Sequence, residues 1–337
     1  MKMGLLVNNI FTEKANYTTT LIAMTATNMG HEVFYISVDQ LSYGVDETVY
    51  AASLKVTPGK YRTLKTYLNN LQSEKAIHQK LILDKLDVLW LRNDAAEDVN
   101  NRPWARLAGV NFARLAMRHA VRVVNSPSGL NEAVNKMYLQ YFPEEVRPRA
   151  IITRVPGDIK QFIKQENGYA VLKPLSGSGG RNVFLIRPEE KYNINQIIES
   201  VSQEGFVIAQ EYLKEATKGD TRLFLLNGQP LMVNNKYAAI HRYHSGDEDM
   251  RSNIKAGAIS YRAQVTPEML KIAEIIRPKL VRDGMFFVGL DIVENKLMEI
   301  NVFSPGGLVD CERLQKTQFC KVIIDSLDPE RIEEDKC

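Results

Sequence analysis

Two short apolar runs near the C-terminal end constrain this chain more than any other feature. FFVGLDIV (286–293) and KLMEIN (296–301) flank Glu294-Asn295, a turn pair, and read together as a β-hairpin. Side chains alternate across a strand, so Glu299 and Asn301 share one face. Counting back through the turn puts Asp291 opposite Lys296 to Met298, within reach of Glu299. Two carboxylates among apolar neighbours are costly to keep charged side by side unless a cation compensates. Oxygen donors with a carboxamide suit Mg²⁺, which keeps positions for water and phosphate. The alternative is a half-exposed hairpin whose polar residues turn outward.

A second feature is Lys173-Pro174-Leu175-Ser176-Gly177-Ser178-Gly179-Gly180, a strand that ends in lysine and runs into a small-residue loop. Glycines let backbone N–H groups approach phosphate oxygens, and the lysine adds a point charge. The lysine precedes the glycines, so this is neither GxxxxGK[ST] nor GxGxxG. A flexible turn is the competing reading. The third feature is a basic run, Arg242, Arg251, Asn253, Lys255 and Gly257, which alone is a solvated loop. A phosphate loop with lysine, a carboxylate pair and an arginine for developing charge are together the parts of nucleotide-dependent phosphoryl transfer. No HRD or DFG signature of a protein kinase is present.

The 337 residues suffice for two or three domains, and 45% hydrophobic with 25% charged residues is ordinary globular composition. A net charge of +3 argues against nucleic acid and anionic membrane as partners. Cys311, Cys320 and Cys337 have no CxxC spacing and read as free thiols of a reducing cytosol. The apolar stretch after Met1 is too short for a membrane span, and a cytoplasmic protein is expected.

A strand at 4–8, a helix at 18–30 and a strand at 31–38 suggest a parallel βαβ unit. The run 87–91 ends in Arg92-Asn93-Asp94, where open α/β sheets place ligands. Arg92 is therefore either a ligand residue or a solvated loop arginine. A helix at 104–119 and a strand at 121–125 complete this part, and Ser126-Pro127-Ser128-Gly129 reads as a break. Beyond it come a helix at 131–141, strands at 150–153, 169–174, 182–186 and 206–211, and helices at 158–165 and 194–203. Strands at 221–226 and 229–233 around Asn227-Gly228 form a further hairpin. Helices at 267–283 and 312–326 frame the C-terminal one. His241 and His244 fall in a polar loop.

These residues carry a resemblance. KPLSGSGGRNVF (173–184), AQEYLKEATKGDTRLFLLNGQP (209–230), RSNIKAGA (251–258) and FVGLDIVENKLMEINVFSP (287–305) resemble the ATP-grasp superfamily, and within it the bacterial glutathione synthetase family. The likeness runs from about residue 4 to 325. It implies an α/β chain of ATP-grasp fold: an N-terminal open parallel α/β (pre-ATP-grasp) domain over 1–125, a central ATP-grasp lid subdomain over 126–205, a catalytic subdomain over 206–328 and a tail at 329–337. It implies an ATP-dependent ligase that forms an amide bond through an acyl phosphate, with γ-glutamylcysteine and glycine as substrates, and Mg²⁺, or Mn²⁺, as cofactor.

The resemblance also implies roles. Lys136 and Lys173 match nucleotide-phosphate lysines, with Ser178, Gly179 and Gly180 in the loop beside them. Gln210, Glu211, Tyr212 and Leu213 match the strand that lines the adenine pocket. Asp220 and Arg222 match a pair at the substrate end. Arg251 and Asn253 match residues that hold the transferring phosphoryl group. Asp291, Glu299 and Asn301 match the metal ligands. Arg92, Asp94, Ser304, Gly306 and Gly307 are the substrate candidates. The family is often oligomeric. Ala95-Ala96-Glu97-Asp98 replaces a proline-rich segment of the family associated with substrate binding, so another amino acid or peptide substrate is an alternative. A non-catalytic ATP-binding module is a second alternative, disfavoured by the presence of Arg251, Asp291, Glu299 and Asn301.

Overall fold

Strand-forming runs that are apolar throughout need cover on both faces, and the N-terminal ones find it. A computed structural model of the chain describes residues 1–98, 101–177, 181–190, 193–243 and 259–328. Strands β1 (Lys2–Val7), β2 (Glu32–Tyr43), β3 (Val49–Lys55), β4 (Ile77–Ile82), β5 (Val88–Leu91) and β6 (Arg122–Val124) form one sheet, ordered β4-β3-β2-β1-β5-β6. The β2-β1-β5-β6 portion is parallel, as expected. β3 and β4 extend it antiparallel. Helices α1 (Thr18–Asn28), α2 (Leu64–Leu71) and α3 (Ala108–Ala116) belong to this region.

The expected break at 126–129 is instead the start of helix α4 (Pro127–Glu132), with proline at its first position. The expected single helix over 131–141 is interrupted. α4 ends at Glu132, and a 3₁₀ segment, Lys136–Tyr141, begins after Asn135, whose side chain caps the Met137 amide at 2.9 Å.

The second sheet contains β7 (Ala150–Thr153), β8 (Ala170–Pro174), β9 (Phe184–Ile186) and β10 (Val207–Gln210) in the order β7-β10-β8-β9. The sheet therefore runs past the expected boundary at 205, because β10 pairs antiparallel with both β7 and β8. Helices α5 (Pro156–Gln165) and α6 (Ile194–Ser202) pack on it around Ile159, Phe162, Leu172, Ile198 and Val207.

The third sheet is ordered β16-β15-β11-β17-β18, with β12 (Gln229–Pro230) on β11. Its strands are β11 (Asp220–Leu226), β15 (Ala239–Tyr243), β16 (Ile259–Arg262), β17 (Phe287–Val293) and β18 (Lys296–Asn301). Asn227 and Gly228 both take positive φ, as a tight primed turn between β11 and β12 requires. β13 (Met232–Val233) and β14 (Lys236–Tyr237) form a small ribbon. Helix α7 (Pro267–Arg282) precedes β17. The expected final helix is two, α8 (Leu308–Gln315) and α9 (Phe319–Asp325), because Lys316 turns into the left-handed region at φ 50°.

The first and third sheets share cores. Leu6, Phe34 and Val110 join Leu223, Ile276 and Val288 in one; Ile22, Tyr35 and Trp90 join Phe287, Leu308 and Ile323 in the other. The middle sheet has a core of its own. Cys311 and Cys320 are buried free thiols, as expected of the two that lie within the described residues. No helix among them is long and apolar enough to cross a membrane.

The α4–α7 junction is a backbone-to-backbone contact. The Ser126 amide donates to the Gly284 carbonyl at 2.9 Å, and a Cβ on Gly129 would lie 2.0 Å from the Asp283 carbonyl oxygen. Gly129→Ala is expected to destabilise the protein by about 1–3 kcal/mol or more. Gly157→Ala, in α5 with nothing near the added methyl, is expected to be neutral or to stabilise by up to about 1 kcal/mol. Urea unfolding of both variants checks the pair.

Candidate active site

The chemistry gathers on one face of the third sheet. Asp291 pairs across strands with Arg222 of β11 on one side and Glu299 of β18 on the other, and Asn301 pairs with Gly289. Asp291 thus opposes Glu299 itself rather than Lys296 to Met298. A bulge after Asp291 inserts one residue into β18 and shifts the register. Arg242 of β15 pairs with Asp220 of β11, so Asp220, Arg222, Arg242, Asp291, Glu299 and Asn301 alternate onto a common side.

Their contacts form a chain of charge. Arg222 holds Asp291 with a bidentate fork, Nε to Oδ1 and Nη2 to Oδ2, the latter at 2.7 Å. Arg242 reaches Asp291 Oδ1 at 2.9 Å and grips Asp220 through Nε at 2.7 Å and Nη2. Asn301 Nδ2 donates to Asp291 Oδ2 at 3.1 Å. Asp291 is 4% exposed. Burial alone would raise its pKa, but Arg222 and Arg242 overcome that and hold it at about 2. Burial likewise opposes the charge on Arg242, and Asp291 and Asp220 outweigh it, so its pKa is raised.

The neighbouring cleft lies between the second and third sheets. It is about 880 Å³ including its open mouth, and Lys136, Lys173, Gln210, Glu299, Asn301 and Ser304 all line it. Lys173 and Ile208 are cross-strand partners on the side of the second sheet away from its core. Lys136 Nζ donates to the Gly177 carbonyl at 2.5 Å, which ties it to the start of the small-residue loop. Desolvation lowers the Lys173 pKa to about 8. Glu299 opposes that shift and Lys136 adds to it.

Glu299 and Asn301 offer a divalent cation a carboxylate and a carboxamide oxygen beside two lysines suited to phosphate. Among the described residues no three His, Cys, Asp or Glu side chains form a self-sufficient cage. A donor set this sparse fits Mg²⁺, which completes its octahedron with phosphate and water. Asp291 is adjacent, but its oxygens already accept from two guanidinium groups and Asn301.

Family models match nearly end to end: the N-terminal domain of prokaryotic glutathione synthetase over residues 1–131, and its ATP-grasp domain over 135–316. The chain belongs to the prokaryotic glutathione synthetase family. The glutathione synthetase of a Synechocystis strain is 30% identical over 96% of this chain and 98% of its own. That of Thermosynechococcus vestitus is 36% identical over 70% of each. Among solved structures, D-cycloserine synthetase DcsG superposes with a TM-score of 0.63 at 12% identity, covering 97% of this chain and all of that one. Macrocyclase MdnB from Microcystis aeruginosa gives 0.60 at 14%, over 97% and 99%. These show the ATP-grasp fold. As a family member the chain is an ATP-dependent ligase that forms an amide bond.

The other candidate residues of this ligase are spread around the cleft, and of them Asp94 lines it. Arg92 is not a solvated loop arginine. It is 3% exposed, donates to Thr19 Oγ1 at 3.2 Å and the Pro305 carbonyl at 3.3 Å, and stacks near Trp90 and Phe287. Its Nη1 makes no hydrogen bond among the described residues, and burial lowers its pKa to about 10. Asp94 lines the cleft, held by Asn8 through its backbone amide at 2.7 Å. Gly306 gives its carbonyl to Arg222 Nη1 at 3.0 Å, and Gly307 precedes α8 at φ 99°. Glu211 is bound by the Arg149 guanidinium at 2.9 Å, Tyr212 stacks on Tyr169, and Leu213 leads into a 3₁₀ turn. None of these last three lines the cleft.

Ser178, Gly179, Gly180, His244, Arg251, Asn253, Lys255 and Gly257 lie outside the described residues. His241 is on β15, not in a loop. Arg242 is the residue that sequence reasoning undervalued, grouped with the basic run although it belongs to β15. Its place opposite a buried aspartate in an alternating strand was the available signal.

With the Lys173 pKa lowered to about 8 by burial, a nucleotide phosphate bound against this lysine would be held by the ammonium form only, and nucleotide affinity is then expected to be full at pH 7. It should then fall as pH rises through about 8, by up to about tenfold per unit, with proton uptake on binding in that range. Lys173→Arg should flatten the profile. Nucleotide titration by calorimetry in two buffers of different ionisation enthalpy checks both points.

Proposed function

We propose that this ligase joins γ-glutamylcysteine to glycine, with Mg²⁺ as its divalent cation and ATP as phosphoryl donor. One observation carries the phosphoryl-transfer reading: Lys136 and Lys173 from one side and Glu299 and Asn301 from the other line a single cleft. The Synechocystis relative, matched over 98% of its length and named a glutathione synthetase, supports glutathione as product.

In this reading Lys136 and Lys173 hold the nucleotide phosphates, and Glu299 and Asn301, with Asp291 beside them, hold the cation. A substrate carboxylate oxygen attacks the γ-phosphorus, the bond to the β,γ-bridging oxygen breaks, and ADP leaves with that electron pair. The amine nitrogen then attacks the acyl carbon, the C–O bond to phosphate breaks, and the amine proton passes to solvent or to the departing phosphate. A divalent cation held there would supply neutralisation of phosphoryl charge. The two lysines and Arg251 oppose the remaining negative charge. Enclosure of the cleft shields the mixed anhydride from water. Arg92, Asp94, Ser304, Gly306 and Gly307 form the substrate end, while Gln210 with the backbone of Glu211 to Leu213 receives adenine.

A second reading, a different acid or amine substrate, draws on the Ala95-Ala96 replacement, since Ala96 and Asp94 line the cleft. A panel of acids and amines with ATP and Mg²⁺, read by phosphate release, decides between them. Release that requires both γ-glutamylcysteine and glycine is the expected result, and release with another pair alone would overturn the glutathione assignment.

Two substitutions test the machinery. Glu299→Gln should keep the fold by circular dichroism and lower turnover by about 10² to 10³-fold. Arg251→Ala should likewise fold and lose several orders of turnover; retained activity would remove its phosphoryl role.

A further inference from the structure

Two residues of one short segment are tied to different sheets. Lys136 donates from its amide to the Leu175 carbonyl at 3.1 Å and from its ammonium to the Gly177 carbonyl at 2.5 Å, both in the chain that follows β8 of the second sheet. Tyr138, two residues on, donates its hydroxyl to Asp283 Oδ2 at 2.6 Å. Asp283 is the C-cap of α7, and α7 packs into the core shared by the first and third sheets through Ile272, Ile276 and Leu280. Two residues of chain span at most about 7 Å, and the Asn135 cap on the Met137 amide tightens the segment further. Lys136 and Tyr138 both line the cleft.

The anchor under Tyr138 has several members. Asp283 Oδ2 also accepts from Lys279 Nζ at 2.7 Å, one turn earlier on α7, and Lys279 reaches Glu132 of α4 at 3.2 Å. The same ammonium lies 5.3 Å from the centre of the Tyr138 ring and 5.0 Å from that of Tyr141. One cation therefore holds both the acceptor of the hydroxyl and the aromatic rings of the segment. Tyr138 is 3% exposed, and a buried hydroxyl on a carboxylate makes a charge-assisted bond, stronger than a neutral one. Burial, and then the bond to Asp283, raise the phenol pKa, so the donor keeps its proton at neutral pH.

We propose that Tyr138 is a positioning residue for nucleotide binding: its bond to Asp283 fixes the Lys136–Tyr141 segment against α7 and so sets where the Lys136 ammonium stands in the cleft. The assignment rests on the reading of Lys136 above as a phosphate lysine, and adds the group that holds that lysine in place. An ammonium has three donors, so Lys136 can keep the Gly177 carbonyl and still meet phosphate. With the Tyr138 hydroxyl removed, the segment loses this tie to α7. The freedom it gains must then be lost on nucleotide binding instead of on folding.

The test is a double-mutant cycle, read by calorimetric titration of the full chain with the non-hydrolysable β,γ-imido analogue of ATP and Mg²⁺. Tyr138→Phe keeps the ring and removes only the donor. It should fold by circular dichroism and bind the analogue about tenfold more weakly than the wild type, within the range of such couplings. Lys136→Gln should weaken binding on its own. In the Lys136→Gln background, Tyr138→Phe should add less than about twofold, because the lysine it positions is gone. Asp283→Ala removes the acceptor instead, and takes the place of Tyr138→Phe in the cycle if that variant does not fold. Equal weakening by Tyr138→Phe in both backgrounds is the mark of a general structural effect, or of a direct contact between hydroxyl and nucleotide, and would overturn the positioning role. Unchanged or tighter binding in folded Tyr138→Phe would do the same. Either outcome leaves the ligase reading standing. Unchanged binding in Lys136→Gln would instead remove Lys136 from the phosphate site, and the role of Tyr138 with it.

Discussion

A carboxylate with 4% of its surface exposed stays ionised only if cations are built in beside it. Asp291 meets that condition through sheet register. β11 puts Arg222 directly across from it, and β15, one strand further, brings Arg242 to the same oxygen. The cluster is nearly self-neutralising, two guanidinium groups against Asp220 and Asp291, and Glu299 adds a negative charge on the far side. That last charge faces Lys173 across the cleft, from the other sheet. Removing one partner of such a buried pair leaves an uncompensated charge, so the set stands or fails together.

The site is assembled from two differently supported bodies. The first and third sheets are fused through cores that span both, with α8 and α9 packed back near α1. The middle sheet carries its own small core. The carboxylates therefore sit on the larger body and Lys173 on the smaller, with Met298 Sδ 4.0 Å from Gln210 Nε2 across the seam. Lys136, in the segment joining the two, is tied by its backbone amide to Leu175 at 3.1 Å and by its ammonium to Gly177. Lys136 and Lys173 share a cleft with Glu299 and Asn301 only because these bodies are apposed.

Much of this was legible in the sequence, for reasons that differ by element. The hairpin of β17 and β18 could be read because a period of two, a turn pair and misplaced carboxylates are all local signals. Its bulge could not, since one extra residue leaves no compositional trace. β3 and the edge strand β4 have no counterpart in the sequence reading because strands of mixed polarity lack the apolar runs that mark β1 and β5. By sequence the 126–129 segment reads as a break because Pro and Gly punctuate chains. Here proline opens a helix and Gly129 admits a neighbouring carbonyl, a requirement set by a residue more than a hundred positions away.

The sequence by itself determined which residue types are available to the chemistry, and in which order. A lysine heading a small-residue loop, two acidic residues and an amide in a hairpin, and arginines in alternating strands are facts of the chain. Only the tertiary structure decided their partners. Arg92 became a buried strap to Pro305 instead of a surface arginine, and Arg242 became a second guardian of Asp291 instead of part of a loop. The physical reason is that a charged group's role depends on what lies within a few ångströms of it once water is excluded. Those neighbours come from strands and loops that are brought together only when the sheets close over their shared cores.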